Sequence, residues 1–302
     1  MRKTKRLLPF IGLVLLTAIL ARYINFSHLI NLRQQAEGKV LGVAVALTIP
    51  FLLCKALKWY YLLRTSIPNV SYVSALRSFL IGMAASLFTP ARLGELARVA
   101  CFPSQRFSVL GLVMVDKLVD IGILLGLFVL SFLVFSPWLG LTGVLAGGVL
   151  VFGLSVLLRS THWVTRIPQP TWLTEVWSGL RNQPRRLITL NASLTCLCFG
   201  CMMLQFQLFL SSLQSVSWWA GLMLPIILLV SSAPVSISGL GLREGITVLL
   251  LSRYAVSIET AIAVSLSVFA VTSLLPGLIG LLLSPTLIKL RPQDIHPPKE
   301  FS

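Results

Sequence analysis

The sequence predicts an all-α polytopic membrane protein, and three observations on the 302-residue chain lead to this fold class. Hydrophobic residues make up 56% of the chain and charged residues 11%, whereas soluble domains carry about 25% charged residues. Mean hydropathy is +0.89, and apolar runs of about 20 residues, enough to cross a bilayer, recur along the chain. Two further apolar runs are interrupted by Pro and Gly. We therefore expect about six full transmembrane helices plus two re-entrant or broken helical hairpins, in one membrane domain spanning residues 1–302.

The first two spans are predicted at residues 7–24 and 40–61. A basic N-terminus precedes the first span, so a cleaved signal peptide is the alternative, but no clean small-residue cleavage site follows it. The second span ends in KALKWYYLLR, in which Lys55 and Lys58 stand beside aromatic rings. Snorkelling cations and aromatic rings are typical of a membrane–water interface, and we place this segment there.

Two broken stretches combine helix-breaking residues with charges. The first is FTPARLGELAR at residues 88–98, which contains Pro90 and Gly94 and has flanks too short to span a bilayer. The second is SSAPVSISGLGLREG at residues 231–245, which contains Pro234, Gly239, Gly241 and Gly245. A helix does not run unbroken through such residues. Non-helical backbone at membrane depth survives only in protein or a water-filled cavity, so both stretches predict a functional site.

The other spans are predicted at residues 108–135, 139–158, 187–210 and 258–283, the last one broken at Pro276-Gly277. Residues 159–186 are rich in Arg and Trp, which predicts an amphipathic connector on the cytoplasmic surface. Similar orders of spans and breaks occur on its two sides, at about 40–158 and 187–290. This similarity predicts repeat-like halves.

The distribution of the 25 Lys and Arg residues predicts the orientation of the chain. The protein is placed in the cytoplasmic membrane with both termini on the cytoplasmic side. Most of these residues then fall in cytoplasmic segments, as the positive-inside rule requires. The first hairpin then enters from the cytoplasmic side and the second from the outer side, as in an inverted repeat. Basic loops facing anionic headgroups also explain the net charge of +16, so we expect no nucleic-acid partner.

A first group of charges lies in the first broken stretch. Arg92, Glu95 and Arg98 are spaced three residues apart and therefore share one helix face. Arginine forks bind phosphate oxygens, so we interpret the group as a binding site for phosphate or carboxylate in which Glu95 balances the charge. The alternative is that these residues cap a short helix at headgroup level.

A second group lies inside the predicted span at residues 108–135. Asp116 and Asp120 are four residues apart and point to one helix face, with Lys117 beside them. Ionisable residues within a membrane usually face a bundle interior or a cavity, where either aspartate could pair with Arg92 or Arg98. A structural ion pair, charge balance and a proton relay all stay open as roles.

The third group is Arg243-Glu244, at the end of the second broken stretch. Adjacent residues do not face each other on a helix, so we expect them to have separate partners. We assign both to the substrate-binding site, and we expect them to line one pathway together with Arg92 and Glu95.

Motifs of enzymes are absent from the sequence, which has no G-x-S-x-G, no H-E-x-x-H and no Walker loop. The grouped cysteines Cys196, Cys198 and Cys201 lie in an apolar span without His or acidic neighbours, which favours buried small hydrophobes over a metal site. We therefore expect no cofactor, no metal and no catalytic residue.

Several stretches together resemble the lysylphosphatidylglycerol synthase transmembrane-region family, also described as flippase-like membrane proteins. They are KALKWYYLLR, FTPARLGELAR, VDKLVD, PVSISGLGLREG and PGLIG, and the resemblance extends over about residues 7–290. The chain departs from the family in having Asp116-Lys117 where relatives often have Glu-Arg. It also has Val268-Phe269-Ala270 where relatives often have a basic or aromatic pair.

The resemblance implies a bacterial or archaeal membrane protein with re-entrant segments that flips a lipid. In the full-length aminoacyl-phosphatidylglycerol enzymes of the family, a separate soluble domain makes the lipid. We expect no such domain in this protein, and we do not carry over aminoacyl transfer. Other relatives are linked to polyprenyl-phosphate sugar metabolism, which adds a glycosyltransferase to the candidate partners.

Three functions follow from the sequence as hypotheses. The first is a transporter that moves a phosphate-bearing lipid, anionic or of the polyprenyl-phosphate type, between leaflets. The second is a membrane enzyme or accessory subunit in polyprenyl-phosphate glycolipid synthesis. The third is a scaffold that docks a soluble partner through residues 159–186. A homodimer is a candidate assembly in each case.

Overall fold

The computed structural model describes residues 38–89, 92–135, 174, 176, 183–233 and 238–287. Every regular element in these ranges is helical, which confirms the predicted all-α class. The described ranges contain four helices long and apolar enough to cross a membrane: Gly38–Ser66, Pro103–Phe135, Arg185–Leu213 and Ile258–Leu283. They coincide with the spans predicted from about residues 40, 108, 187 and 258. The protein is therefore integral to a membrane.

Several predictions fall largely outside the described residues. The spans at 7–24 and 139–158 and most of the connector 159–186 lie there, as do Pro90 and Pro234. The total of six spans, the orientation and the inverted relation of the two halves consequently stay predictions.

The first described span is made of two helices, α1 (Gly38–Ala46) and α2 (Thr48–Ser66). Pro50 explains the interruption between them, because proline has no N–H to donate to the carbonyl of Ala46. The residue between the helices, Leu47, keeps helical backbone angles. The two helices therefore continue as one span.

The first broken stretch forms a helical hairpin. Helix α3 (Tyr72–Ser86) begins at Ser71, whose hydroxyl accepts a hydrogen bond from the amide of Ser74 at 3.1 Å. After a turn, a 3-10 helix (Leu93–Cys101) runs back along α3, with Gly94 against Ala85. We call α3 and this 3-10 helix the first hairpin.

Gly94 allows the two arms of this hairpin to approach each other closely, and it does not break a helix. A methyl group at Gly94 would come within 2.2 Å of the backbone of Ala85, so only glycine lets the two arms touch. The turn itself is made at Arg92, whose φ of 57° is left-handed. It is held by Thr89, whose hydroxyl accepts a hydrogen bond from the amide of Gly94 at 2.7 Å.

The second broken stretch also folds back on itself. A 3-10 helix (Trp218–Met223) leads into α6 (Leu224–Ser231), and α7 (Leu242–Leu251) returns against α6. We call α6 and α7 the second hairpin. Its turn needs Gly239 and Gly241, which have φ of +77° and +81°. Gly245, in contrast, lies within α7 with open space around it, so its predicted role in breaking the helix is wrong.

Helix α4 (Arg106–Phe135) contacts both hairpins, and α5 (Arg185–Leu213) packs against α1, α2 and α4. The last span consists of α8 (Ile258–Phe269), a π-helical turn (Ala270–Leu274) and α9 (Leu275–Leu287). The predicted break at Pro276-Gly277 is therefore replaced by a π turn just before the proline, after which the helix continues. Gly280 lets α9 approach the backbone of Leu80 in α3, because a methyl group there would lie 1.9 Å from the Leu80 carbonyl oxygen.

Candidate functional site

A cavity of about 390 Å³ is lined by residues of both hairpins, of α2, α4 and α5, and of the last span. This volume lies within the range of small-molecule sites in proteins. The charged residues in its lining are Lys55, Arg92, Glu95, Arg98, Asp116, Lys117, Asp120 and Arg243. The hydroxyl-bearing ones are Ser231, Ser232, Ser238, Thr247, Ser265, Thr272 and Ser273. Apolar side chains, among them Phe51, Leu124, Phe199, Met202, Phe206 and Ile227, form the remaining wall.

Asp116 lies at the centre of a buried ion network. Its two oxygens lie 2.9 Å from the ammonium of Lys58 and 3.1 Å from the guanidinium of Arg98. All three side chains are 1% exposed. Asn191 on α5 donates a weaker hydrogen bond to the same carboxylate at 3.5 Å. Burying these charges is tolerable only because each has a charged partner.

Asp120 continues the network one helical turn further along α4. Lys55 donates to it at 2.8 Å, Lys58 contacts its other oxygen, and the hydroxyl of Thr195 donates to that oxygen at 3.0 Å. Both aspartates thus face α2, as their spacing of four residues predicts.

Glu95 connects this network to the first hairpin. It contacts Arg98, the ammonium of Lys117 at 2.5 Å and the guanidinium of Arg92 at 3.8 Å. A 3-10 helix has three residues per turn, which brings Glu95 and Arg98 into line. Arg92 precedes this helix and reaches the same carboxylate from the left-handed turn. Burial alone would raise the pKa of Glu95, but the charges of Lys117, Arg98 and Arg92 outweigh it and lower that pKa.

Arg98 is held by aromatic rings as well as by carboxylates. Its guanidinium lies 5.0 Å from the ring centroid of Trp59 and 5.5 Å from that of Phe79. Trp59 in turn donates a hydrogen bond to Ser78 at 2.9 Å. These contacts fix Arg98 in place and leave it little freedom to move toward a ligand.

The prediction that Lys58 snorkels and that Trp59 presents its ring to a membrane–water interface is wrong. Both are buried, at 1% and 0% exposure. Lys58 points into the bundle because two aspartates there stabilise its charge, as water would stabilise the charge of an exposed lysine. The spacing of Lys55 and Lys58 on one apolar helix, matched by Asp116 and Asp120 on another, is the signal from which this pairing was predictable.

In the second hairpin, Arg243 and Glu244 pair with each other, so the expectation of separate partners is wrong. The guanidinium of Arg243 lies 2.6 Å from Glu244, whose other oxygen accepts a hydrogen bond from the amide of Gly241 at 2.6 Å. Because Glu244 lies in the first turn of α7, it folds back over the N-terminus, and Arg243 reaches it there. Ser265 contacts both side chains, and the guanidinium lies 4.3 Å from the ring centroid of Phe269.

The residues predicted from the two broken stretches meet at the cavity. Arg92, Glu95 and Arg98 line it from the first hairpin, and Arg243 and Gly239 from the second, whereas Glu244 is not part of the lining. Arg92 also donates a hydrogen bond to Ser273 in the π turn at 3.2 Å, which joins the first hairpin to the last span.

The cations of the site differ in their accessibility. The side chains of Arg92 and Lys117 are 37% and 33% exposed and that of Lys55 is 16% exposed, whereas Arg98 and Lys58 are buried. A ligand in the cavity therefore meets Arg92 and Lys117 first.

Sequence reasoning missed some residues of the site altogether: Asn191, Thr195, Ser265 and Ser273. Single polar residues in apolar helices carry no distinctive pattern, so only the packing of the helices reveals them. Within the described ranges, no group of three or more His, Cys, Asp or Glu side chains is placed to hold a metal ion.

A family model described as "Lysylphosphatidylglycerol synthase TM region" matches residues 7–280 of the chain. The match includes both hairpins and every charged residue of the cavity, and it confirms the resemblance seen in the motifs. Comparisons of the chain with curated proteins and with solved structures gave no match.

Proposed function

The chain belongs to the lysylphosphatidylglycerol synthase TM-region family, and on that premise we propose that it moves a phosphate-bearing lipid between the two leaflets of a membrane. The family supports a lipid-related role for an integral membrane protein. The single observation that carries the finer proposal is the cavity between the hairpins, which is lined both by accessible cations and by apolar side chains.

The two kinds of lining suit the two parts of a lipid. Arg92 and Lys117 are cations that a phosphate group can reach, and arginine binds phosphate oxygens through its planar fork. Phe199, Met202 and Phe206 offer an apolar surface to the beginning of an acyl or prenyl chain. A soluble anion without a hydrocarbon chain would make no favourable contact with this apolar surface.

The contacts assign different roles to the charged residues. Arg92 and Lys117 contact the headgroup. Arg98 is a positioning residue, because its guanidinium already forms ion pairs with Glu95 and Asp116. Arg243 faces the cavity from the second hairpin, with Glu244 as its partner. Glu95, Asp116 and Asp120 balance charge. Each of the three contacts at least two cations, which favours the ionised carboxylate and argues against a proton relay.

Movement of the lipid would use the two hairpins alternately. Transporters built from inverted repeats hold substrate between discontinuous helices and expose it to one side at a time. We place the protein in the cytoplasmic membrane with both termini inside, as the distribution of Lys and Arg favours. The sequence has no nucleotide-binding motif, so we expect movement to be downhill or coupled to an ion.

The proposal is tested by reconstituting the full chain in vesicles and measuring the exchange of fluorescent phospholipids between leaflets. We expect Arg92→Ala and Arg243→Ala to slow exchange about tenfold, the effect of losing one charge-assisted hydrogen bond. Arg77→Ala is the matched control, because Arg77 is exposed on α3 and outside the cavity. Exchange at the rate of empty vesicles with the unaltered protein would refute transport, and unchanged rates in both variants would refute the site.

A further inference from the structure

The charges around the first hairpin do not balance. Three carboxylates, those of Glu95, Asp116 and Asp120, face five cations, which are Lys55, Lys58, Arg92, Arg98 and Lys117. Arg243, which also lines the cavity, is neutralised by its ion pair with Glu244 behind it. The described residues of the site thus carry two positive charges in excess.

The contacts show where this excess lies. Lys58 and Arg98 are buried, and Lys55 is held 2.8 Å from Asp120, so these three cations take up the charge of the three carboxylates. Arg92 and Lys117 are left, and both approach the one carboxylate of Glu95. They are also the most exposed cations of the network.

We infer that the headgroup bound in this cavity carries two negative charges, as a phosphate monoester or a disubstituted diphosphate does, and that Arg92 and Lys117 select it over a phosphodiester with one charge. The inference rests on the proposed function and names its substrate class. A dianion between these two side chains makes the site neutral, whereas a monoanion leaves one cation without a counterion in a largely apolar cavity.

The apolar wall of the cavity indicates the source of the phosphate. Phe199, Met202 and Phe206 on α5 line the same space as the cations. Burial of a hydrocarbon chain there adds a binding contribution that a free phosphate compound lacks. The ligand is therefore a lipid phosphate.

The test compares two lipids that differ in one methyl group. Dioctanoyl phosphatidic acid has a monoester headgroup with up to two charges, and dioctanoyl phosphatidylmethanol has a diester headgroup with one. Their affinities for the detergent-solubilised full chain are measured by calorimetric titration at increasing pH, up to values well above the second pKa of a phosphate monoester, which is about 6 for a phosphorylated side chain. We expect phosphatidic acid to bind about tenfold more tightly, as one further charge-assisted hydrogen bond implies.

Variants at the two selecting residues make the test specific. In Arg92→Gln and Lys117→Gln the preference for phosphatidic acid should fall below about threefold, because each variant removes one excess charge. The control Arg77→Gln keeps the full preference. Both altered side chains are partly exposed, and the melting temperature of each variant is measured alongside to establish that it is folded.

Three results would overturn the inference. The first is equal affinity of the unaltered protein for the two lipids, and the second is a preference for phosphatidic acid that both variants retain. The third is binding of sn-glycerol 3-phosphate as tightly as of phosphatidic acid, which would make the ligand a free phosphate compound. Leaflet exchange without headgroup preference would reject the inference and leave the transport proposal intact, whereas selective binding without exchange would reject transport alone.

Discussion

Lys58 shows how a single residue depends on the assembled site. Its ammonium is buried in a span and contacts Asp116, Asp120 and the hydroxyl of Thr195. The two aspartates supply the favourable interactions that water gives an exposed lysine. Since the same aspartates also hold Arg98 and Lys55, we expect Lys58 to stabilise the junction of α2, α4 and α5 as a whole.

Replacement of this lysine should therefore destabilise the protein strongly. We expect Lys58→Met to lower the free energy of unfolding by about 3 kcal/mol, because it leaves buried carboxylates short of a counterion. The measurement is denaturant unfolding in detergent micelles. Lys55→Met is the control and should cost less, since Lys55 is partly exposed and pairs with one carboxylate, that of Asp120, where Lys58 pairs with two. Equal losses in the two variants would contradict the network described for Lys58.

At the scale of single residues, the sequence predicted which charged residues lie together better than it predicted which of them form ion pairs. The spacing of Glu95 and Arg98 was sufficient to bring them together, because residues three apart share one face of a helix. Arg92 joins them from the left-handed turn before the helix. The pairing of Arg243 with Glu244 could not be read from spacing, since it depends on how α7 begins.

Single glycines determine the geometry of the hairpins at the scale of elements. Gly94 lets the two arms of the first hairpin touch, since a methyl group there would meet the backbone of Ala85. Gly245 lies in the interior of α7 with nothing within 4 Å of an added methyl group. The two positions thus form a matched pair, one dependent on glycine and one not.

Substitution by alanine should separate these two glycines. We expect Gly94→Ala to push the arms of the first hairpin apart, to destabilise the protein by about 1–3 kcal/mol and to abolish lipid binding. Gly245→Ala should be neutral or slightly stabilising, because alanine favours a helix by up to about 1 kcal/mol. Thermal unfolding and lipid titration of both variants check this. A Gly94→Ala protein with unaltered stability and binding would show that the hairpin does not require the contact.

The elements themselves were predicted to different degrees. Hydropathy located the described spans closely, because an uninterrupted run of about 20 apolar residues is typical of a transmembrane helix. It also located both breaks. The 3-10 conformation of Leu93–Cys101 and the π turn at Ala270–Leu274 were not predictable, since they depend on packing against neighbouring helices.

At the scale of the whole molecule, the two broken stretches were expected to line one pathway, and Arg92, Glu95 and Arg243 do line a single cavity. That expectation came from the similar chemistry of two distant segments. The excess of cations over carboxylates was beyond sequence reasoning, because Lys55 and Lys58 were placed at the membrane surface. Only their position beside the aspartates brings them into the charge count.

The orientation of the molecule is open to a direct test. We expect both termini in the cytoplasm, because most Lys and Arg residues then lie inside. Fusions of green fluorescent protein to either end should fluoresce, and fusions of alkaline phosphatase to either end should be inactive. An active phosphatase at one terminus would require an odd number of spans and would contradict an even-numbered arrangement.

The central claim is that both hairpins form one site for a lipid phosphate, and an experimental structure with a co-purified or added lipid tests it most directly. We predict phosphate oxygens within hydrogen-bond distance of Arg92 and Lys117, with the lipid chain along Phe199 and Phe206. A lipid phosphate bound elsewhere, with the cavity between the hairpins closed to it, would contradict the account.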